Sequence, residues 1–197
     1  VYVVRKALLN WQTKRSLTYQ HFPNFLGERI DTIPFGTLPN KRFTIQDPCF
    51  TARGMGDYDS PIRVLSAIVG AKLVEMKHNR EKALCCGASA LGNPEIAQAF
   101  IRSRLQEARE AGADAMVNLC AGCHLAFFKY EKEFGIESRQ FSEVVAEAMG
   151  IEVAPDKMKR FRDLGDCARI LESARETIEA GHYTADEISL VLPLLFG

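Results

Sequence analysis

Cys85 and Cys86 stand side by side and are followed by Gly87, while Cys49, Cys120 and Cys123 lie at distances along the chain that only a fold can close. Successive side chains on a strand face opposite ways and a disulfide between neighbours is strained, so an adjacent cysteine pair is a poor choice for packing. In a turn loosened by a glycine the two thiols can converge. The whole constellation reads C-x35-C-C-x33-C-x-x-C. Two neighbouring thiolates, a C-x-x-C pair and one lone cysteine make a sulfur cage suited to a soft metal centre. Structural zinc takes four ligands, usually from two close pairs, which five thiols exceed. Iron–sulfur clusters accept cysteines from separate segments, and a fifth ligand suits a cluster larger or more open than a four-cysteine cubane. Cys120 and Cys123 alone would fit a thioredoxin-like dithiol, since they follow a strand and start a helix where a thiolate is stabilised. The other three cysteines count against that reading. A zinc-stapled scaffold without redox activity is the alternative from a different functional class.

The elements that must carry these residues alternate. Arg42 to Gln46 reads as a strand ending at Asp47-Pro48-Cys49, and Ser60-Pro61 opens a helix over Ile62 to Val69. Ala71 to Met76 reads as the next strand, followed by a polar loop into Cys85-Cys86-Gly87. Pro94 starts a long helix through Ala111 with Ile96, Phe100, Ile101, Leu105 and Ala108 on one face, ended by Gly112. Ala115 to Leu119 is a buried strand delivering Cys120, Cys123 to Phe134 a helix, Glu137 to Gln140 a short strand and Ser142 to Met149 a helix. This alternation predicts an α/β fold: a small Rossmann-like parallel sheet with helices on both faces, flanked by helical N- and C-terminal segments. Ligands of such sheets collect at the carboxyl ends of strands, where Cys49 and Cys120 fall.

Three segments are expected. Residues 1–40 hold an amphipathic helix over Val1 to Arg15, a short helix from Pro23 to Ile30 and a Pro- and Gly-containing loop; residues 41–150 hold the cysteines; residues 151–197 are helical. Sliding the chain by 119 residues sets Trp11 on Tyr130, Phe22 on Phe141 and Glu28 on Glu147, so residues 1–30 read as the tail of an earlier, degenerate repeat. Two amphipathic helix pairs matching by pattern would look the same. The chain opens at Val1 rather than Met, consistent with a fragment of a longer two-repeat protein. Cys167 lies in the last segment and reads as a small core residue.

Lys and Arg equal Asp and Glu at 25 each, and no long run of like charge occurs, which argues against a nucleic-acid or membrane-surface binder. The longest apolar run, Leu190 to Phe196, is too short to span a bilayer and contains Pro193. With no secretory leader in view, six cysteines suit metal or redox chemistry more than a disulfide framework. A soluble protein of the cytoplasm, or of the cytoplasmic face of a membrane complex, is the expectation.

Asp47-Pro48-Cys49, Tyr58-Asp59-x-Pro61, Leu73-Val74-Glu75-Met76, Asn79-Arg80-Glu81, Leu84-Cys85-Cys86-Gly87 and Gly112-Ala113-Asp114 ahead of Cys120 and Cys123 together resemble the cysteine-rich CCG domain. That domain occurs in heterodisulfide reductase catalytic subunits and in iron–sulfur subunits of lactate, glycolate and glycerol-3-phosphate oxidising systems. The resemblance covers roughly Phe43 to Met149; the second gap is slightly short, and Ala121-Gly122 replaces a proline-containing interior. It implies that Cys49, Cys85, Cys86, Cys120 and Cys123 bind a non-cubane [4Fe-4S] cluster, with a cubane cluster or zinc as alternatives. It further implies an oxidoreductase subunit that cleaves a disulfide or heterodisulfide in one-electron steps. Its partners would be ferredoxin-like, flavoprotein or membrane quinone-reactive subunits, with a thiol or disulfide substrate. An electron relay for a flavin-dependent 2-hydroxy acid or glycerol-3-phosphate dehydrogenase is the redox alternative. His124, next to a ligand, is a candidate proton donor. His78, His21 and His182 read as solvated or structural, Arg53 as a contact to an anionic substrate, and Phe127, Phe128 and Tyr130 as core.

Overall fold

The computed structural model describes residues 20–90 and 92–196. The helix read over Val1 to Arg15 and most of the inferred earlier repeat lie outside them. The chain divides into two compact units, the first running to Val153 and the second from Ala154 to Gly197.

In the first unit α1 (Phe22–Gly27) precedes β1 (Thr37–Gln46), α2 (Asp59–Ser66), β2 (Val69–Leu73), α3 (Pro94–Glu110), β3 (Ala115–Asn118), α4 (Ala121–Phe127), α5 (Glu131–Phe134), β4 (Glu137–Gln140) and α6 (Phe141–Ala148). The four strands form one sheet in the order β2-β1-β3-β4, every neighbouring pair parallel. From β1 the chain steps outward to β2 and then returns across β1 to β3, so its helices cover both faces. The sense of winding therefore reverses between β1 and β3, the crevice in which such sheets hold ligands.

Period-two alternation assigns the strand residues to two cores. Phe43, Ala115 and Val117 meet Val64 and Leu65 of α2 and Phe141, Val144 and Val145 of α6. On the opposite face Met116 meets Ile101, Leu105 and Ala108 of α3 and Cys123, Ala126 and Phe127 of α4. Complete burial of side chains such as Leu65, Leu105 and Phe127 contributes about 1.5–3 kcal/mol each.

Several boundaries differ from the sequence reading, each for a local reason. β1 begins at Thr37, inside the stretch read as loop; Pro39 is accommodated because the β1–β2 register shifts between Thr37 and Lys41. The expected Cys123–Phe134 helix starts earlier, at Ala121, and is broken by a 3-10 turn over Phe128–Tyr130. α3 keeps its predicted limits, with Pro94 at its start, the Asn93 side chain accepting from the Ile96 amide, and Gly112 beyond its end. Its buried face is rotated, however. Ile96 and Phe100 are exposed at 48% and 39%, while Arg104 and Glu107 turn inward with Ile101, Leu105 and Ala108. Phe127 and Phe128 are buried as expected, and Tyr130 is half-buried.

The second unit holds α7 (Lys157–Leu164), α8 (Cys167–Ala180) and α9 (Ala185–Phe196). Asp156 and Asp166 cap α7 and α8 by accepting backbone N–H groups. Cys167 is half-buried in the first turn of α8. No helix among the described residues is long and apolar enough to cross a membrane.

Candidate metal centre

The five cysteines lie on segments that leave the carboxyl ends of the three adjacent strands. Cys49 follows β1 and begins a short wide turn (Cys49–Arg53), Cys85 and Cys86 sit in the long connection from β2 to α3, and Cys120 and Cys123 lie at the start of α4 directly after β3. Cys86 and Cys123 are buried, Cys85 and Cys120 half-buried and Cys49 exposed.

Three sulfurs share hydrogen bonds in a row, with Cys123 between Cys120 and Cys86. The row separates protons unequally. Cys120 is pulled down to about 5 by the Cys123 thiol and by the backbone N–H groups of Cys123 and Gly122, against the effect of burial. Cys86 is lowered to about 7, again first by Cys123, then by the Ala88 and Cys86 amides, with burial opposing. Cys123, hydrogen-bonded by both neighbours and buried, is pushed up and keeps its proton. Cys85 accepts from the Gly87 amide at 3.4 Å and lies 3.6 Å from the Ser89 hydroxyl. All five are free thiols. Among the described residues no group of three or more His, Cys, Asp or Glu side chains is placed so that it could hold a metal ion. The donor set nevertheless suits a thiolate-bound metal group: soft ligands from three segments, two of them stabilised as thiolates, and none committed to a disulfide.

Gly87 explains why the cysteine pair ends in glycine. Its φ is +83°, and a β-carbon there would stand 2.7 Å from the Ala97 carbonyl oxygen and 3.0 Å from Ile101 Cγ1. The pair therefore lies hard against α3, at a distance and in a conformation that only glycine permits.

The connection bearing Cys85 and Cys86 is held by side chains from elsewhere. Arg53 donates to the Ala83 carbonyl at 2.7 Å, Gln46 to the Leu84 carbonyl at 3.2 Å and Arg104 to the His78 carbonyl at 2.7 Å. Asp47 accepts from the Arg80 amide at 2.7 Å, and burial pushes its carboxyl above the usual carboxylate range. Arg80 adopts φ +53°, a conformation costly for a residue with a side chain, at this anchoring point. Beside it, a cavity of about 270 Å³ is lined by Asp47, Leu73, Glu75, Met76 and Arg80 among others, but by none of the cysteines.

Arg53, read as a substrate contact, thus directs a donor to a main-chain carbonyl next to the cysteine pair. His124 is 2% exposed and turned toward β4: Nδ1 lies 3.0 Å from Ser138 Oγ and the ring stacks on Phe128 at 6.0 Å. Asn118 donates to that same serine oxygen. His78 pairs with Glu107, His21 faces Asp57 at 3.6 Å, and His182 is exposed. Sequence reasoning missed Gln46, Asp47, Arg104 and Glu107. The available signal was two charges within the arc of Ile101, Leu105 and Ala108.

Residues 43–128 match the family described as the cysteine-rich CCG domain. The chain is 35% identical over 158 residues to a Methanosarcina barkeri protein named as a subunit of dihydromethanophenazine:CoB–CoM heterodisulfide reductase, covering 75% of this chain and 39% of that protein. It is 27% identical over 109 residues to lactate utilization protein A 1 of Bacillus mycoides, covering 54% of this chain and 43% of the relative. An uncharacterized iron–sulfur protein of Methanocaldococcus jannaschii matches at 29% over 106 residues, 52% of this chain and 21% of that protein. The chain therefore spans about two fifths or less of the length of these relatives.

Proposed function

From the premise that residues 43–128 are a cysteine-rich domain of the CCG family, on a chain homologous to a heterodisulfide reductase subunit, we propose an iron–sulfur oxidoreductase subunit acting on a disulfide. Cys49, Cys85, Cys86, Cys120 and Cys123 would hold a [4Fe-4S] cluster of the non-cubane type. The observation that carries this reading is the delivery of five free thiols on segments leaving the carboxyl ends of three adjacent strands, with Cys123 hydrogen-bonded to both Cys86 and Cys120. When bound, such a cluster supplies one-electron transfer at sulfur. The net reaction takes a disulfide, two electrons and two protons to two thiols, the electrons arriving from a ferredoxin-like, flavoprotein or membrane quinone-reactive subunit.

The chain's own residues bind, shape and shield. Gly87 lets the cysteine pair lie on α3, while Gln46, Arg53 and Arg104 fix the approach to it. Burial of Cys86 and Cys123 keeps water from the inner side, and exposed Cys49 with its neighbour Phe50, 58% exposed, marks the side where a substrate thiol would arrive. His124, the candidate proton donor, would be oriented by its contact with Ser138 through Nδ1. Residues 1–40 would be the tail of an earlier repeat, 41–150 the cluster domain and 151–197 a helical extension. The complex would lie in the cytoplasm or at the cytoplasmic face of a membrane.

The likeness to lactate utilization protein A 1 favours a second reading, an electron relay for a flavin-dependent 2-hydroxy acid dehydrogenase. Electron paramagnetic resonance of anaerobically purified, oxidised protein separates the two. The disulfide-reductase reading predicts a signal that changes when a substrate-like thiol is added. A cluster signal indifferent to every thiol tested would leave the relay, and zinc without sulfide would leave a scaffold.

A further inference from the structure

A fully buried charge lies on α3, whose neighbouring residues Ile101 and Leu105 share a core with Cys86 and Cys123. Arg104 is 0% exposed and projects from α3 between Ile101 and Leu105, in the apolar layer that also contains Cys86 and Cys123. Its Nε donates to Gln46 Oε1 at 2.8 Å, and its Nη1 donates to Glu107 Oε2 at 2.6 Å and to the His78 carbonyl at 2.7 Å. Its Nη2 is buried and finds no partner among the described residues. Glu107 is shared with His78, and Asp47, which accepts the Arg80 amide, acts on Arg104 through its charge without a hydrogen bond to it. Taking a guanidinium out of water is costly unless negative charge and hydrogen bonds compensate, and a shared Glu107, an Asp47 that makes no hydrogen bond to it and an unused N–H group leave that compensation incomplete. Asp47 acts on Arg104 more strongly than Cys123 does, so the cysteine row is a further source of negative charge for the guanidinium, through whichever of its thiols are ionised or metal-bound.

We infer that Arg104 is the charge-compensating and positioning residue of the cysteine cage. Through Gln46 and the His78 carbonyl it holds the connection that carries Cys85 and Cys86, and its buried positive charge favours the more reduced, more negative state of a group bound by the thiols. The inference rests on the reading that the five cysteines hold an iron–sulfur cluster. Opposite charges then make opposite predictions. Removing the guanidinium makes reduction harder, whereas removing its carboxylate partner at Glu107 unmasks the guanidinium and makes reduction easier. A purely structural role would give both variants the same kind of defect.

The test is a dithionite titration of the full, iron-loaded chain with redox mediators, followed by electron paramagnetic resonance, for wild type, Arg104→Met, Arg104→Lys and Glu107→Gln. The expected result is a reduction equilibrium at least tenfold less favourable in Arg104→Met, about 59 mV for one electron. Arg104→Lys should fall between Arg104→Met and wild type, and Glu107→Gln should shift the opposite way. If Arg104→Met does not load, the Lys and Gln variants carry the test by the signs of their shifts. Loaded variants with wild-type potentials, or shifts of one sign for both Arg104 and Glu107 substitutions, overturn the inference and leave the cluster reading standing. A wild-type chain without iron and sulfide overturns both.

Discussion

Replacing Gly87 by alanine adds one methyl group at the point where the cysteine pair meets α3. Two costs follow from the geometry. At φ +83° a residue with a β-carbon pays about 1–2 kcal/mol relative to its ordinary conformations. The new carbon would also stand 2.7 Å from the Ala97 carbonyl oxygen, which belongs to helix backbone and cannot rotate away; such overpacking costs about 1–3 kcal/mol. The sum, about 2–5 kcal/mol, is a large fraction of the ~5–15 kcal/mol that stabilises a typical domain. The chain can avoid it only by moving the loop outward by about 0.7 Å, the gap between 2.7 Å and the ordinary contact of 3.4 Å, which displaces Cys85 and Cys86 from Cys120 and Cys123. Urea denaturation of the metal-free chain and iron per chain after anaerobic reconstitution should therefore both fall. Gly92→Ala, where a β-carbon would meet nothing within 4 Å, is the control and should leave both unchanged. A Gly87→Ala protein with the wild-type midpoint and full iron content would refute the argument that this glycine sets the cage.

Other perturbations separate the site from its scaffold. Leu105→Ala, at a 0% exposed position in the α3 core, should cost about 2–5 kcal/mol in urea denaturation. Arg53→Ala removes the donor to the Ala83 carbonyl and should cost about 0.5–1.5 kcal/mol while accelerating iron loss to a chelator; equal loss rates would contradict the anchoring role. Asp114, held down to about 2 by Arg42, gives a depressed folded pKa, so its contribution is complete above about pH 4 and lost as pH falls toward 2. Asp114→Asn should therefore be less stable than wild type at pH 5, with the gap closing by pH 2; a constant gap would contradict this. Cys167→Ser should retain wild-type iron content, since Cys167 lies outside residues 43–128 that match the cysteine-rich domain.

What could be read beforehand was what local pattern encodes. Glu137 to Gln140 emerged as a strand with its predicted limits, and the long helix began at Pro94, because alternation and capping act over a few residues. Cysteines at the ends of strands followed from the same logic. Arg104 did not, because its inward turn depends on Gln46, 58 positions away, and on a carbonyl 26 away, neither of which periodicity can register. Ile96 and Phe100 misled for the complementary reason: they are apolar in the first two turns of α3, on the arc that the neighbouring elements leave uncovered. The early start of β1 was hidden by Pro39, which a register shift accommodates.

The most direct test of the central claim is iron and acid-labile sulfide per chain, measured in anaerobically purified wild type and in single Cys→Ser variants at 49, 85, 86, 120 and 123. The account predicts about four irons with matching sulfide in the wild type and a loss in each of the five variants. Zinc without sulfide in the wild type, or full iron retained when Cys86, Cys120 or Cys123 is replaced, would contradict it.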